Sequence, residues 1–258
     1  MTTRRDVLKG GIGLAAILAA GESPAIIKKS LIAARAALTG GKKAPTAKSY
    51  VQDGLIAMWD GIENAGWGVH DESATTWVDL VGGNDYHEFV SGVTFGADCL
   101  NVPARQNVAQ IEPYDDSSIM TIECVVALAD WNGIVLATFG SSGPPMRRWI
   151  GFRYNGTFSF GNDSDCAAGG LRRNQPVAIS GTIKSQNYWR LYRNGVEAES
   201  LGMGMTWASE SPLPATLNKK GSTYAAARIH AIRLYSRALT AEEIAANYAV
   251  DKQRFNLP

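Results

Sequence analysis

Short β-type segments separated by turns fill the sequence from residue 50 to Thr240, and this pattern constrains the fold more than any other feature. Two Asn-Gly dipeptides, at 155–156 and 194–195, favour the tight turns of β-hairpins. No segment of helical periodicity and length interrupts the pattern. We therefore predict an all-β fold, a two-sheet antiparallel β-sandwich. The predicted strands lie in the segments 54–60, 120–129, 133–140, 148–154, 157–161, 176–184, 188–198 and 227–235.

A helix is predicted at the C-terminus, directly after the last strand. Thr240 and Glu243 have the spacing of a capping box, in which each side chain accepts a hydrogen bond from the other residue's backbone amide. Leu239 and Ile244 stand at the positions of a hydrophobic staple. One helical face carries Ile244, Tyr248, Asp251 and Phe255. Because a cap contributes only about 1 kcal/mol, this helix must dock on the sandwich to be stable.

Strand alternation also assigns side chains to the two faces of a sheet. The core face is predicted to hold Ile150, Phe152, Trp189 and Leu191. The opposite face is predicted to hold Trp149, Arg153, Tyr188, Arg190 and Tyr192. Outward aromatic and arginine side chains on adjacent strands would form a polar surface on which a ligand can stack.

Basic residues are concentrated at the N-terminus. Residues 1–47 contain 8 of the 25 Lys/Arg and 2 of the 24 Asp/Glu. The remainder therefore carries about five net negative charges, which argues against binding of nucleic-acid phosphates.

The first residues resemble a bacterial twin-arginine export signal. Arg4 and Arg5 stand in the context T-R-R-D-V-L-K, although Val7 replaces the usual Phe. The apolar run 10–20 is shorter than the about 20 residues that a membrane span needs, and small residues follow it. A short buried helix of a cytosolic protein is the alternative. We predict an N-terminal signal or tether helix and an exported protein that is periplasmic, secreted or at the cell surface.

The domain organisation follows from these boundaries. Residues 1–25 are predicted as the signal, 26–49 as a tether or linker, and 50–258 as one jelly-roll domain. Residues 26–47 are also compatible with a basic amphipathic helix, so membrane association through residues 1–40 stays open.

Three cysteines cannot all pair within one chain. Cys124 alternates with apolar residues and is predicted to be a buried free thiol. A disulfide between Cys99 and Cys166 is compatible with an oxidising compartment, and the sequence leaves it open. No spacing resembles a zinc site, and the three histidines are scattered.

Three stretches are similar to a laminin G-like domain of the concanavalin A-like lectin/glucanase superfamily. "YWRLYRNGVEA" and "ARIHAIRLYSRALTAEEIAANYAVDKQRF" resemble its closing half, and "TTWVDLVGGND" resembles an early turn. The resemblance covers residues 50–255 and implies a jelly roll whose last strand pairs with an early one, with the helix sealing one end. The matching positions are Trp77, Asp79, Leu80, Gly82, Leu191, Tyr192, Asn194, Gly195, Ile229, Ile232, Arg233, Leu234, Tyr235, Arg237, Leu239, Thr240, Glu243 and Ile244.

Members of this superfamily bind carbohydrates or proteins, or hydrolyse glycans. A retaining glycanase of this fold carries an E-x-D-x-x-E strand that holds its two carboxyl groups about 5–5.5 Å apart, and this sequence has none. Glu197 and Glu199 follow a hairpin turn and indicate a solvated strand end. Glu123 lies in an apolar strand, either as an ion-pair partner of an arginine or as the acid of a divergent glycoside hydrolase. We predict no catalytic residues.

The sequence also indicates candidate ligand-binding residues. The loop 161–170 offers Asn162, Asp163 and Asp165 as weak candidates for calcium, with an Asx-rich turn as the alternative; no other cofactor is indicated. Trp67 and Trp207 are further candidates for exposed aromatic rings. We predict an exported, non-catalytic module that binds a glycan or a cell-surface protein, with a glycoside hydrolase or a structural surface or phage subunit as alternatives. The predicted ligand-binding residues are Glu123, Trp131, Trp149, Arg153, Tyr188 and Arg190.

Overall fold

Fourteen strands and one C-terminal α-helix make up the described part of the chain in a computed structural model. The structure describes residues 44–87, 89, 91–103, 110–114, 119–129, 135–139, 148–152, 157–160, 167–185, 188–201, 213–217 and 226–258. The strands are β1 (Leu55–Asp60), β2 (Thr94–Phe95), β3 (Leu100–Val102), β4 (Gln110–Tyr114), β5 (Thr121–Leu128), β6 (Val135–Phe139), β7 (Arg148–Phe152), β8 (Phe158–Phe160), β9 (Ala167–Ala168), β10 (Val177–Ser185), β11 (Tyr188–Arg193), β12 (Val196–Leu201), β13 (Leu213–Leu217) and β14 (Ala227–Tyr235). The helix, α1, spans Ala241–Arg254, and a short 3₁₀ helix spans Ala47–Ser49.

The strands form two antiparallel sheets. The larger sheet has the order β12-β11-β10-β5-β14-β3-β2, and β1 pairs with β14 beside β3. The smaller sheet has the order β4-β13-β6-β7-β8-β9. Since β14 pairs along its length with β1, β3 and β5, the last strand is the centre of the larger sheet. This topology confirms the predicted antiparallel sandwich and the return of the last strand to an early one.

The core lies on the inner face of the larger sheet. Alternate residues of β5, Ile122, Cys124 and Val126, pack there with residues of β10, β11 and β14, and Phe158 contributes from the smaller sheet. Trp189 and Leu191 belong to the same cluster, which confirms the face predicted for β11. Residues Pro45–Pro258 form one compact unit.

The C-terminal helix begins as the sequence predicts. The amide of Thr240 donates to Glu243 Oε2 at 2.9 Å, and the amide of Glu243 donates to Thr240 Oγ1 at 3.3 Å. Leu239 and Ile244 are buried in one cluster with Tyr192. These contacts confirm the capping box and place the staple residues in contact with the sheet.

The position of α1 differs from the expected one. Phe255 packs against Val125 and Ala178, and Asn247 donates to Glu123, so the helix contacts the outer face of β5 and β10. The helix therefore covers the outer face of the larger sheet instead of sealing one end of the sandwich. The outer face carries buried side chains, among them Tyr192. These side chains must be shielded from solvent, which explains why α1 lies on this face.

The hairpin between β11 and β12 has the predicted turn. Asn194 and Gly195 have φ angles of 50° and 76°, both in the left-handed region that a type I′ turn requires. The corresponding pair at 155–156 lies outside the described residues. Cys99 and Cys124 are buried free thiols, which confirms the prediction for Cys124 and shows Cys99 unpaired. In the ranges that the structure covers, no helix has the length and apolar character needed to cross a membrane.

Candidate functional site

A buried ion-pair network lies between α1 and the outer face of the larger sheet. Arg233, near the end of β14, donates from Nε to Glu123 Oε2 at 2.9 Å and through both Nη atoms to the carboxylate of Asp251 at 2.8 and 2.7 Å. Asn247 donates to Glu123 Oε2 at 2.7 Å, and the hydroxyl of Tyr50 donates to Asp251 at 2.8 Å. The guanidinium carbon of Arg233 lies 4.0 Å from the centre of the Tyr50 ring. These ion pairs and hydrogen bonds therefore hold α1 against the larger sheet.

Glu123 is enclosed by this network. Burial raises the pKa of Glu123, and the guanidinium of Arg233 opposes that rise. A carboxyl of raised pKa is one property of an acid catalyst, but Glu123 is only 2% exposed. The interpretation of Glu123 as an ion-pair partner of an arginine is confirmed. Glu123 is also among the predicted ligand-binding residues, but α1 covers the face on which it lies.

The other predicted ligand-binding residues do not form one surface with Glu123. Trp149 lies on β7 in the smaller sheet, whereas Tyr188 and Arg190 lie on β11 in the larger one. Arg190 is half-buried and pairs with Glu197, with 3.1 Å between Nη1 and Oε2. Trp149 was expected to share one surface with Tyr188 and Arg190, and this expectation is wrong. Strand alternation predicts the side of a strand on which a residue lies, and not the sheet to which the strand belongs. The candidates Arg4, Arg5, Trp131, Arg153, Asn162, Asp163 and Asp165 lie outside the described residues, and Trp207 and Cys166 do too.

A second buried network connects the end of α1 with the loop after β1. Arg254 donates to Asp60 Oδ1 at 2.7 Å and to Glu63 Oε1 at 3.0 Å. Glu63 also accepts from the backbone amides of Ala47 and Gly68, each at 2.8 Å. Burial raises the pKa of Asp60 against the attraction of Arg254.

The buried carboxylates of the described residues all have partners within the fold. Asp79 accepts hydrogen bonds from the amides of Met58 at 2.9 Å and Val81 at 3.0 Å, and the remaining ones belong to the two arginine networks. None of these buried carboxyl groups is therefore placed like the pair that faces an open cleft in a glycoside hydrolase. The buried acidic residues are Asp60, Glu63, Asp79, Glu123 and Asp251.

An open cleft lies beside the bridge between Trp77 and Tyr86. The amide of Trp77 donates to the Tyr86 carbonyl at 2.8 Å and the amide of Tyr86 donates back at 3.0 Å, so residues 74–76 lie beside His87 and Phe89. The cleft has a volume of about 460 Å³, within the range of about 300–1,000 Å³ found for ligand pockets. Its lining residues are Ala74, Thr75, Thr76, His87, Phe89, Ser91, Gly92 and Val93. We call it the Phe89 cleft.

The chemistry of the Phe89 cleft suits the recognition of a polar molecule with some apolar surface. Thr75, Thr76 and Ser91 offer hydroxyls that can donate and accept hydrogen bonds. His87 adds an imidazole, whose Nδ1 lies 3.0 Å from the carbonyl of Asp85. Phe89 is held by an edge contact with Phe95, at 5.7 Å between ring centres. None of the described residues that line the cleft is a carboxylate, and Glu88, between His87 and Phe89, lies outside the described residues.

No pattern in the sequence predicted the Phe89 cleft. Its residues lie in turns and irregular segments, where no periodicity assigns a side chain to a face. The nearest signal was the turn motif around Trp77 and Asp79, which indicated a turn and not a site.

Trp67 is the one predicted aromatic candidate whose exposed side chain the structure describes. It is 38% exposed, and Lys48 Nζ lies 5.1 Å from the centre of its ring. Glu63 fixes the loop by accepting from the amide of Gly68. Trp67 is therefore a second aromatic surface, on an ordered loop.

The comparison with protein families decides the family. The family model described as the concanavalin A-like lectin/glucanases superfamily matches residues 106–245, more than half of the chain. The chain belongs to this superfamily. A search of curated proteins gave no match.

Solved structures resemble this concanavalin A-like domain in fold. A sialidase of Trypanosoma rangeli has a TM-score of 0.60 and 16% identity over 83% of this chain and 34% of its own. The binding domain of Paraclostridial Mosquitocidal Protein 1 has a TM-score of 0.57 and 15% identity over 76% of this chain and 52% of its own. The chain thus spans about a third of the length of the sialidase. At these identities the likeness shows the fold alone, and it does not separate hydrolysis from binding.

Proposed function

We propose that this concanavalin A-like domain is a non-catalytic module that binds a glycan, or a glycan-bearing protein surface, in the Phe89 cleft. The proposal rests on the different roles of the buried carboxylates and of the polar side chains in the cleft. The buried carboxylates of the described residues serve the arginine networks or accept backbone amides, whereas the cleft offers hydroxyls, an imidazole and a phenyl ring. Such a lining can hold a sugar ring by its hydroxyls and its C–H face, and its described residues include no carboxylate that could serve as the acid or the nucleophile of a glycoside hydrolase.

Binding of the full chain to a glycan array, followed by titration of the best glycan, tests the proposal. We expect Phe89→Ala and Thr76→Ala to weaken binding, because they remove the apolar surface and a hydroxyl from the cleft. Val196→Ala is a matched control, since Val196 is 69% exposed at the β11–β12 hairpin and does not line the cleft. Loss of binding in Trp67→Ala with no effect of the cleft variants would move the site to the Trp67 loop.

A divergent glycoside hydrolase is the second candidate function. The raised pKa of Glu123 favours it, and the burial of Glu123 opposes it. Polysaccharide cleavage that disappears in Glu123→Gln would support hydrolysis over simple binding.

We also propose that residues 1–25 direct export. The paired arginines, the apolar run and the small residues after it support this proposal. Replacing Arg4 and Arg5 together by lysine keeps the charge and removes the paired-arginine signal, so we expect the protein to stay in the cytoplasm of a host with twin-arginine export. Unchanged export of that variant would contradict the signal.

A further inference from the structure

Three potential metal ligands meet where the start of β3 approaches β14. Asp98 and Cys99 directly precede β3, and His230 lies in β14, 131 positions after Cys99 in the printed sequence. One ligand atom from each of the three side chains lies within 4.8 Å of the others. This cluster, which we call the Cys99 cluster, is separate from the residues of the Phe89 cleft and from the arginine networks.

The fold directs His230 towards the other two residues. β14 pairs with β3 from Ala227 to Ile229, and its register with β5 then shifts between Ile229 and Ala231. A β-bulge of this kind changes the direction of a side chain and is common beside functional sites. His230 stands at this irregularity, directly after the paired segment.

Gly61 holds the backbone of the cluster in place. The amide of Gly61 donates to the carbonyl of His230 at 2.8 Å. A Cβ at Gly61 would overlap the carbonyl of Asp98 and lie 2.7 Å from the Cα of Cys99. The absence of a side chain at Gly61 therefore allows the Asp98–Cys99 segment to lie against the end of β1.

The distances in the cluster are close to those of a tetrahedral metal site. His230 Nδ1 lies 3.7 Å from Asp98 Oδ2 and 3.1 Å from the Asp98 carbonyl. Zinc forms bonds of about 2.0–2.3 Å, so ligand atoms in a tetrahedron are about 3.4–3.8 Å apart. The largest separation in the cluster, at most 4.8 Å, exceeds that range by about 1 Å.

His230 also has an unsatisfied ring nitrogen. The side chain is 3% exposed, and its Nε2 atom has no hydrogen-bond partner in the described part of the chain. Because the Asp98 carbonyl can only accept, Nδ1 donates to it in the metal-free chain. The Nδ1 atom, which faces Asp98, is therefore the ring nitrogen that the cluster presents to a ligand.

We propose that Asp98, Cys99 and His230 bind one divalent transition metal of the zinc type, with a water molecule at the fourth position. A thiolate, an imidazole and a carboxylate suit zinc and cobalt, and do not suit calcium. The side chain of Asp98 is 42% exposed, so solvent reaches the open position. When the metal binds, the proton of the Cys99 thiol goes to solvent and the imidazole proton moves from Nδ1 to Nε2, which gives one proton released per metal.

Cobalt(II) added to the metal-free full chain tests this site, because a thiolate ligand gives a charge-transfer band in the near ultraviolet. We expect one Co²⁺ per chain, with the band and the strong visible absorption of tetrahedral coordination. Cys99→Ser is expected to abolish the band. Cys124→Ser is the matched control and keeps the band, since Cys124 lies in the inter-sheet core and is not part of the cluster.

Two further variants keep the proposal testable if Cys99→Ser does not fold. Asp98→Asn changes a half-exposed side chain and is expected to weaken Zn²⁺ binding about tenfold or more. His230→Gln is expected to remove the rise in melting temperature that Zn²⁺ gives the wild-type chain. No charge-transfer band with one equivalent of Co²⁺, a band that survives Cys99→Ser, or a band lost in Cys124→Ser would overturn the proposal.

Discussion

Arg233 and Asp251 face each other across the contact between β14 and α1, joined by two hydrogen bonds of 2.8 and 2.7 Å. Both side chains are 1% exposed. The helix follows the strand directly in the sequence. The ion pair between them holds the helix in one position on the sheet. The same arginine holds Glu123, and the three side chains together close the outer face of the larger sheet to ligands.

Replacing Arg233 by methionine is expected to destabilise the fold strongly. The change leaves Glu123 and Asp251 buried without their cation, and breaking a buried ion pair in this way costs about 3–5 kcal/mol. Urea unfolding of the variant measures the loss. Arg172→Gln, at an exposed position, is the control and is expected to lie within about 0.5 kcal/mol of the wild type. A similarly small effect of Arg233→Met would show that the network does not hold the helix.

Glu243 makes stability depend on pH in the acid range. Its hydrogen bond with Arg237 lowers the pKa of Glu243 from the ordinary 4.5 to about 2, although burial opposes the shift. Because the folded pKa lies below the unfolded one, the contribution to the free energy of unfolding is fully present above pH 4.5 and is lost as the pH falls towards 2. Glu243→Gln keeps a capping-box side chain and is expected to flatten this part of the profile.

Urea unfolding from about pH 7 to about pH 3 checks this expectation. Lys252→Gln, at an exposed position of α1, is the control and keeps the slope of the wild type, because a lysine keeps its charge over this pH range. If Glu243→Gln shows the same acid slope as the wild type, the pair with Arg237 is not the source of the effect.

Gly195→Ala is expected to disturb both the β11–β12 turn and the packing of α1. The φ of Gly195 is 76°, and a Cβ there would lie 2.9 Å from the Cβ of Tyr248 on α1. A left-handed φ costs an alanine about 1–2 kcal/mol, and the overlap with Tyr248 adds about 1 kcal/mol or more.

Gly83→Ala separates these two costs. Gly83 has a φ of 75°, but a Cβ at this position would meet no atom within 4 Å, so the variant carries the backbone cost alone. Thermal unfolding should therefore show a clearly lower melting temperature for Gly195→Ala than for Gly83→Ala. Equal values would mean that Tyr248 does not pack against the turn.

Local patterns in the sequence predicted much of the fold. The alternation in β5 and β11 identified the core residues Cys124 and Trp189 correctly, because the period of a strand decides the side on which a residue lies. The capping box at Thr240 marked the start of α1, since it depends on residues three positions apart.

The pairing of distant strands could not be predicted in the same way. Alternation assigns both Trp149 and Arg190 to an outward face, yet β7 and β11 belong to different sheets. The docking of α1 on Glu123 depends on contacts between residues far apart in the sequence, and no local spacing encodes it. For this reason Glu123, which was predicted to bind a ligand at the surface, is buried beneath α1.

The two sites were missed for related reasons. Phe89 and Thr76 lie in irregular segments, and the Trp77–Tyr86 bridge that brings them together joins residues without a strand pattern. Cys99 and His230 looked scattered in the sequence, and only the pairing of β3 with β14 makes them neighbours.

One measurement tests the central claim that the chain holds a glycan without cleaving it. The full chain, Phe89→Ala and Glu123→Gln are each incubated with the polysaccharide that binds best, and bound ligand and newly formed reducing ends are measured in the same samples. We expect the wild type to bind and release no reducing ends, and Phe89→Ala to bind more weakly. Reducing ends that form with the wild type and disappear with Glu123→Gln would contradict the account.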